Sequence, residues 1–319
     1  MSYNRVGTPK FYIDAMLLAR AWGEIETENP DGLHYLNPSN VKTFTLDSSG
    51  SDYMSIIFKN RYWTNALTHL FVLGHNFHTD GVKISYRTRK VDDTNDDYLL
   101  AEGTLTNENG WDYYELNHAP DKDNIKTTFK ISVEEGTTAT SILFSEISAG
   151  WNYTIQHSPD LELTQSFSNE SIKTQTTLWG HTLPNAGWNH QPAWIRQAWT
   201  GTDQNTTAEN RIIFPTGRRS WSLKFSYLSD NDSDNPLFPE TYNSDNGIFK
   251  FFSTGAYMIK SDFLSKVYHG TNSYQLPFIF QPNTSFEEYA ICRINSDTAT
   301  FTQTSNNTYD ISLDITEVW

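Results

Sequence analysis

Apolar and polar residues alternate with a period of two through much of this chain. Val82, Ile84 and Tyr86 alternate with Lys83, Ser85 and Arg87, and Phe129, Ile131 and Val133 with Lys130, Ser132 and Glu134. Near the C-terminal end Tyr309, Ile311, Leu313 and Ile315 alternate with Asp310, Ser312, Asp314 and Thr316. This is the pattern of strands with one buried and one wet face. Trp221, Leu223, Phe225 and Tyr227 are predicted to share the buried face of another such strand. Shorter apolar runs, Leu70 to Leu73, Ile142 to Phe144, and Phe278 to Phe280 between two prolines, read as short buried or edge strands.

Between residues 41 and 150 the alternating runs and their Gly- and Asn-rich turns predict roughly eight strands, the number of a jelly roll. Residues 151–319 read as a second β-sandwich, and Glu146 to Gly150 as the hinge between the two. Residues 1–40 read as an N-terminal arm. Its segment from Phe11 to Trp22 is apolar, with a period that fits either a strand or one to two helical turns. Phe11, Tyr12, Leu17 and Trp22 are its candidate docking residues; covering the chain's own core is the other reading. One short helix is predicted in the second domain, from an N-cap at Ser261 to a stop at Gly270, with Phe263, Leu264, Val267 and Tyr268 on one stripe. The fold class is therefore all-β: two sandwich or jelly-roll domains, an arm and a short helix.

Composition sharpens this. Aromatic residues make up 14% of the chain, including 10 Trp, against 19% charged, so there is enough bulk to bury for a rigid fold. The net charge of −15 repels phosphate backbones and argues against nucleic-acid binding. Cys292 stands alone, which excludes an intrachain disulfide and a Cys-based zinc site. No apolar stretch approaches a membrane span, and the first residues lack a signal-peptide core, so synthesis in a cytoplasm is expected.

The order in Leu70 to Tyr86, an apolar strand, then Leu-Gly-His-Asn, a small loop and an alternating strand, resembles the galactose-binding-like jelly rolls of tailed-bacteriophage virion proteins. The stretches Gly217 to Leu228 and Asn307 to Trp319 are similar to the same group of structural proteins. The resemblance implies a structural place in a virion, in the tail or distal tail before head decoration. It also implies synthesis in the bacterial host cytoplasm, with other virion proteins and copies of itself as partners. It carries over no catalytic residue.

Candidate chemistry is sparse. The loop carrying His75, His78 and Asp80 has too few ligands for a metal, and its Gly74, His75, Asn76 and Gly81 read as loop-ordering residues. Asp230, Asp232 and Asp234 begin like a calcium loop, but Asn235 and Thr241 stand where Gly and Glu would be needed. No nucleophile elbow, phosphate loop or His-Glu-x-x-His motif is present, and Glu134 with Glu135, or Glu287 with Glu288, would point to opposite faces of a strand. No enzyme activity and no cofactor are expected. Trp179, Trp188, Trp194 and Trp199 put four tryptophans into a short segment, either as an interface or core cluster or as a platform for a host-surface glycan.

Overall fold

The computed structural model describes residues 6–29, 36, 42–46, 51–58, 67–73, 82–90, 97–104, 111–116, 124–133, 140–161, 163–168, 172–186, 218–239 and 262–318. Their elements in chain order begin with β1 (Lys10–Asp14), helix α1 (Ala15–Ala21), β2 (Ile25–Asn29), β3 (Lys42–Leu46), β4 (Ser51–Phe58) and β5 (His69–Leu73). There follow β6 (Val82–Lys90), β7 (Asp97–Thr104), β8 (Trp111–Glu115), β9 (Asn124–Val133), β10 (Thr140–Phe144) and β11 (Glu146–Thr154). The remainder is β12 (Thr164–Ser168), β13 (Ile172–Thr176), β14 (Thr182–Ala186), β15 (Arg218–Ser229), a π-helix (Leu264–His269), β16 (Phe278–Gln281), β17 (Ala290–Ile294), β18 (Phe301–Ser305) and β19 (Thr308–Glu317). Every strand pairing among these residues is antiparallel. The protein is all-β, with little helix.

A ten-stranded sheet organises it, in the order β12-β15-β19-β17-β16-β1-β11-β5-β8 with β18 alongside β19. The sheet draws strands from residues 1–40, 41–150 and 151–319 alike. A five-stranded sheet, β2-β4-β9-β6-β7, and the ribbons β3-β10 and β13-β14 complete the pairing. The strands expected between residues 41 and 150 are present as β3 to β10.

Within the expected arm, residues 10–14 lie inside the large sheet as β1. β1 is hydrogen-bonded to β11 on one side and β16 on the other, with Phe11 opposite both Tyr153 and Phe280. Its ambiguous period resolves into two elements in succession. Residues up to Asp14 are extended, and Asp14 then caps α1 by accepting a hydrogen bond from the Leu17 N–H at 2.9 Å. Phe11, Tyr12 and Leu17 are buried in this chain's own core, which leaves them no face for a partner. Burial of a side chain such as Phe11 is worth about 1.5–3 kcal/mol, so the apolar run is accounted for within the chain.

The expected hinge at Glu146 to Gly150 is also a core strand. All five residues are buried, and they pair in register with β5. Small residues that read as a flexible turn are small here because backbones pack closely: a Cβ on Gly150 would run into the Ile13 carbonyl.

Behind β1 the core is aromatic. Phe11 meets Phe263, Phe278 and Phe280 at ring-centroid distances of 6.2, 5.4 and 5.3 Å, and Trp221 meets Phe280 at 5.4 Å. The expected helix near residue 261 is wound as a π-helix. Its wider turn carries a bond from the Gly270 N–H to the Ser265 carbonyl, while the Lys266 carbonyl accepts from Trp151 Nε1 at 3.1 Å. Ahead of it Asp262 Oδ1 accepts from the Ser265 N–H at 2.8 Å, and Ser261 lies outside the described residues.

On β15, Trp221, Leu223 and Phe225 are buried as expected, but Tyr227 is 74% exposed. The register with β19 shifts between Phe225 and Leu228, and Tyr227 sits at φ 63°, so this bulge turns Tyr227 outward and gives Leu228 the buried place.

Candidate functional site

The β13-β14 ribbon, from Ile172 to Ala186, carries the most exposed aromatic of the described chain. Thr176 pairs with Thr182, and the five residues between them close into a turn held from inside. The Thr177 N–H donates to the His181 carbonyl at 2.8 Å and the Gly180 N–H to the Thr177 carbonyl at 2.9 Å. The Thr177 hydroxyl accepts from the His181 N–H at 3.1 Å. Gly180 takes φ 79°, a left-handed conformation that glycine adopts without steric cost. With the turn's polar groups committed to one another, Leu178 and Trp179 point out of it and are 101% and 87% exposed. An ordered turn that presents Leu and Trp to water forgoes the free energy of burying them.

Of the sequence-predicted tryptophans, Trp179 occupies this tip, while Trp188, Trp194 and Trp199 lie outside the described residues, as do Gly74, His75, Asn76 and Gly81. Trp22, the fourth arm residue, closes α1 and is 41% exposed, with its Nε1 donating to Asn272 Oδ1 at 3.2 Å.

Two buried groupings had no signal in the sequence. The first is an aromatic box on the sheet face opposite Phe11. Tyr12 contacts His69, Phe71, Tyr113 and Tyr289 at centroid distances of 5.1, 5.1, 5.7 and 6.0 Å. The Tyr12 hydroxyl donates to Gln281 Oε1 at 2.8 Å, and Gln281 Nε2 donates in turn to the Phe286 carbonyl at 2.8 Å. Burial, followed by neighbouring hydroxyls, pushes the phenols of Tyr12 and Tyr289 up, so both remain neutral. His69 is fully buried with no hydrogen-bond partner on either ring nitrogen. Burial, with the cations of Lys10 and Lys266, pulls it down to about 3 and holds it neutral at ordinary pH.

The second grouping centres on Arg219, whose Nε and Nη2 donate to the two carboxylate oxygens of fully buried Glu317 at 3.1 and 3.2 Å. Its Nη1 reaches Glu288 at 2.7 Å, its Nη2 the Tyr289 carbonyl at 3.1 Å, and its guanidinium lies 5.3 Å from the Trp221 ring. Each of its three side-chain nitrogens is matched within the fold, so this is a clamp between β15 and β19. Only the tertiary pairing of those strands brings the charges together.

The loop with Asp230, Asp232 and Asp234 is tied by its own backbone. Asp232 Oδ1 accepts from the N–H groups of Asp234 and Asn235 at 3.0 and 2.7 Å, and Asp230 Oδ1 from that of Phe238 at 3.0 Å. Among the described residues no group of three or more His, Cys, Asp or Glu converges as metal ligands, and no helix is long and apolar enough to cross a membrane. Cys292 is buried in β17, where burial pushes its thiol up and leaves it a core filler.

No protein-family model matches the chain, and no curated protein sequence matches it. Among solved structures, a truncated AlyQ with CBM32 and alginate lyase domains is similar at 10% identity and a TM-score of 0.26, over 66% of this chain and 48% of that one. The chain thus spans about half the length of that protein, and a TM-score at this level carries no inference about activity.

Proposed function

We propose that this protein is a non-enzymatic structural component that works by protein–protein contact, with the Leu178–Trp179 tip as its contact element. The observation that carries the reading is the near-complete exposure of both side chains on a turn whose own hydrogen bonds are satisfied. Aromatic anchors of this kind concentrate in interfaces. The resemblance of residues 70–86, 217–228 and 307–319 to tailed-phage virion proteins supplies the setting, tail or distal tail before head decoration, with other virion proteins and copies of the chain as partners. In this reading the sheet β2-β4-β9-β6-β7 and the β1-β11-β5-β8 end of the large sheet are the two layers of a galactose-binding-like jelly roll. The β12-β15-β19-β17-β16 end begins a second sandwich that shares the central strands.

A second reading, a carbohydrate-binding receptor module, is favoured by the same Trp179, because an indole face open to water can stack on a sugar ring. Trp179→Ala in the full chain separates the two. As an assembly protein, the variant keeps its melting temperature and loses association, by about 30-fold or more in affinity, the scale of losing one central aromatic anchor of about 2 kcal/mol. Glycan-array binding that disappears in the variant selects the receptor reading. A wild-type chain that neither associates nor binds glycans overturns both.

A further inference from the structure

We propose that the β13-β14 ribbon of one copy adds to the open edge of β12 in a second copy, extending the large sheet head to tail from subunit to subunit. The inference rests on the reading of the ribbon as a protein contact and names its partner.

Three observations carry it. The first is connectivity. Only residues 169–171 separate β12 from β13, the length of a hairpin connection, and consecutive strands so joined normally pair. Here β12 is paired only with β15, and β13 and β14 only with each other, among the described residues. A sheet edge and a ribbon thus lie side by side in sequence, each with backbone donors and acceptors that no other strand of the described residues pairs with.

The second is the chemistry of the β12 edge and of the exposed side chains around it and the ribbon. β12, Thr164-Gln-Ser-Phe-Ser168, has no charge, no proline and no bulge, so it lacks the usual devices that keep an edge strand from pairing with another chain. Of the seven large hydrophobic side chains that are exposed among the described residues, Leu161, Phe167, Leu178 and Trp179 fall on these elements, in the ribbon's turn or just before β12.

The third is charge. The chain carries −15, so most faces of two copies repel each other. Residues 171–202 contain no Asp or Glu, and the ribbon's one formal charge is Lys173. Ribbon against β12 therefore brings two acidic subunits together without opposing carboxylates across the new strand pair. Because ribbon and edge are different surfaces, the contact is heterologous and continues into a ring or a filament.

The test uses the full chain and sedimentation velocity over a range of concentrations. Ser166→Lys and Phe167→Lys each block the edge at exposed positions, and Leu178→Asp with Trp179→Asp blocks the ribbon; unchanged melting temperatures verify that each variant folds. The wild type is expected to form concentration-dependent oligomers, and each blocked variant to lose them and run as a monomer. An equimolar mixture of an edge-blocked and a ribbon-blocked variant is expected to regain a dimer and stop there, because one intact edge and one intact ribbon remain. A mixture that stays monomeric overturns the proposal. If the ribbon variant dissociates the oligomer while both edge variants leave it intact, the pairing falls and the contact role of the tip stands. A wild type that is monomeric throughout overturns both.

Discussion

Asp14 and His69 are buried ionisable side chains on strands that flank Gly150, and they act on stability in opposite directions. Burial raises the Asp14 carboxyl to about 7, against the hydrogen bond from the Leu17 N–H, which favours its charged form. The folded chain then holds a proton that the unfolded chain has released, so this residue's contribution falls as pH rises from about 4 to 7. His69, lowered to about 3, does the reverse: its neutral ring is favourable above about 6.5, and that advantage is lost as pH falls toward 3. The two slopes offset each other over much of pH 4 to 6.5. Asp14→Asn keeps the cap and removes only the first slope, so urea unfolding should show the variant gaining on wild type as pH rises from 4 to 7, by up to about 4 kcal/mol. Arg219 gives a sharper expectation. Arg219→Met leaves Glu317 charged and buried and should cost about 3–5 kcal/mol in chemical denaturation. Glu288→Gln, at a carboxylate 40% exposed, should cost under about 1 kcal/mol.

At the scale of elements, periodicity located strands well and failed where geometry breaks the period. The four-residue stripe on β15 ends one residue early because a bulge, which leaves no mark on an alternating sequence, reverses the faces after Phe225. Tyr227 is held at positive φ with its side chain outside and its N–H bonded to Asp310 Oδ1 at 3.0 Å. Tyr227→Gly keeps that bond and relieves the left-handed strain, so thermal unfolding should show no loss and a gain of up to about 1 kcal/mol. Phe225→Ala, two residues away and fully buried, should cost about 3–5 kcal/mol. The helix near residue 261 was legible from its stripe and its stop, but not its π winding, nor the bond by which the Trp151 indole of β11 reaches its Lys266 carbonyl.

For the molecule as a whole, the placement of residues 10–14 matters most. An arm that docks on a partner can be removed without unfolding what remains, whereas β1 joins β16 to β11 and carries rings that both sides of the core pack against. Deleting residues 1–22 should therefore abolish cooperative thermal unfolding and leave an aggregating chain. The sheet it completes takes strands from every part of the sequence, so long-range pairing and not local order holds the protein together.

The sequence by itself determined the all-β class, most of the strands, the buried faces of β15 as far as Phe225 and of β19, and the candidacy of Trp179, because period-two alternation and aromatic content are local properties. It did not determine that residues 10–14 are a central strand, that residues 146–150 are core, or that Trp179 stands in water while Phe11 does not. Those were decided by the tertiary structure, because an apolar residue carries the same preference for burial wherever it stands. Only the pairing of distant strands settles which surfaces are used up in the core and which are left exposed.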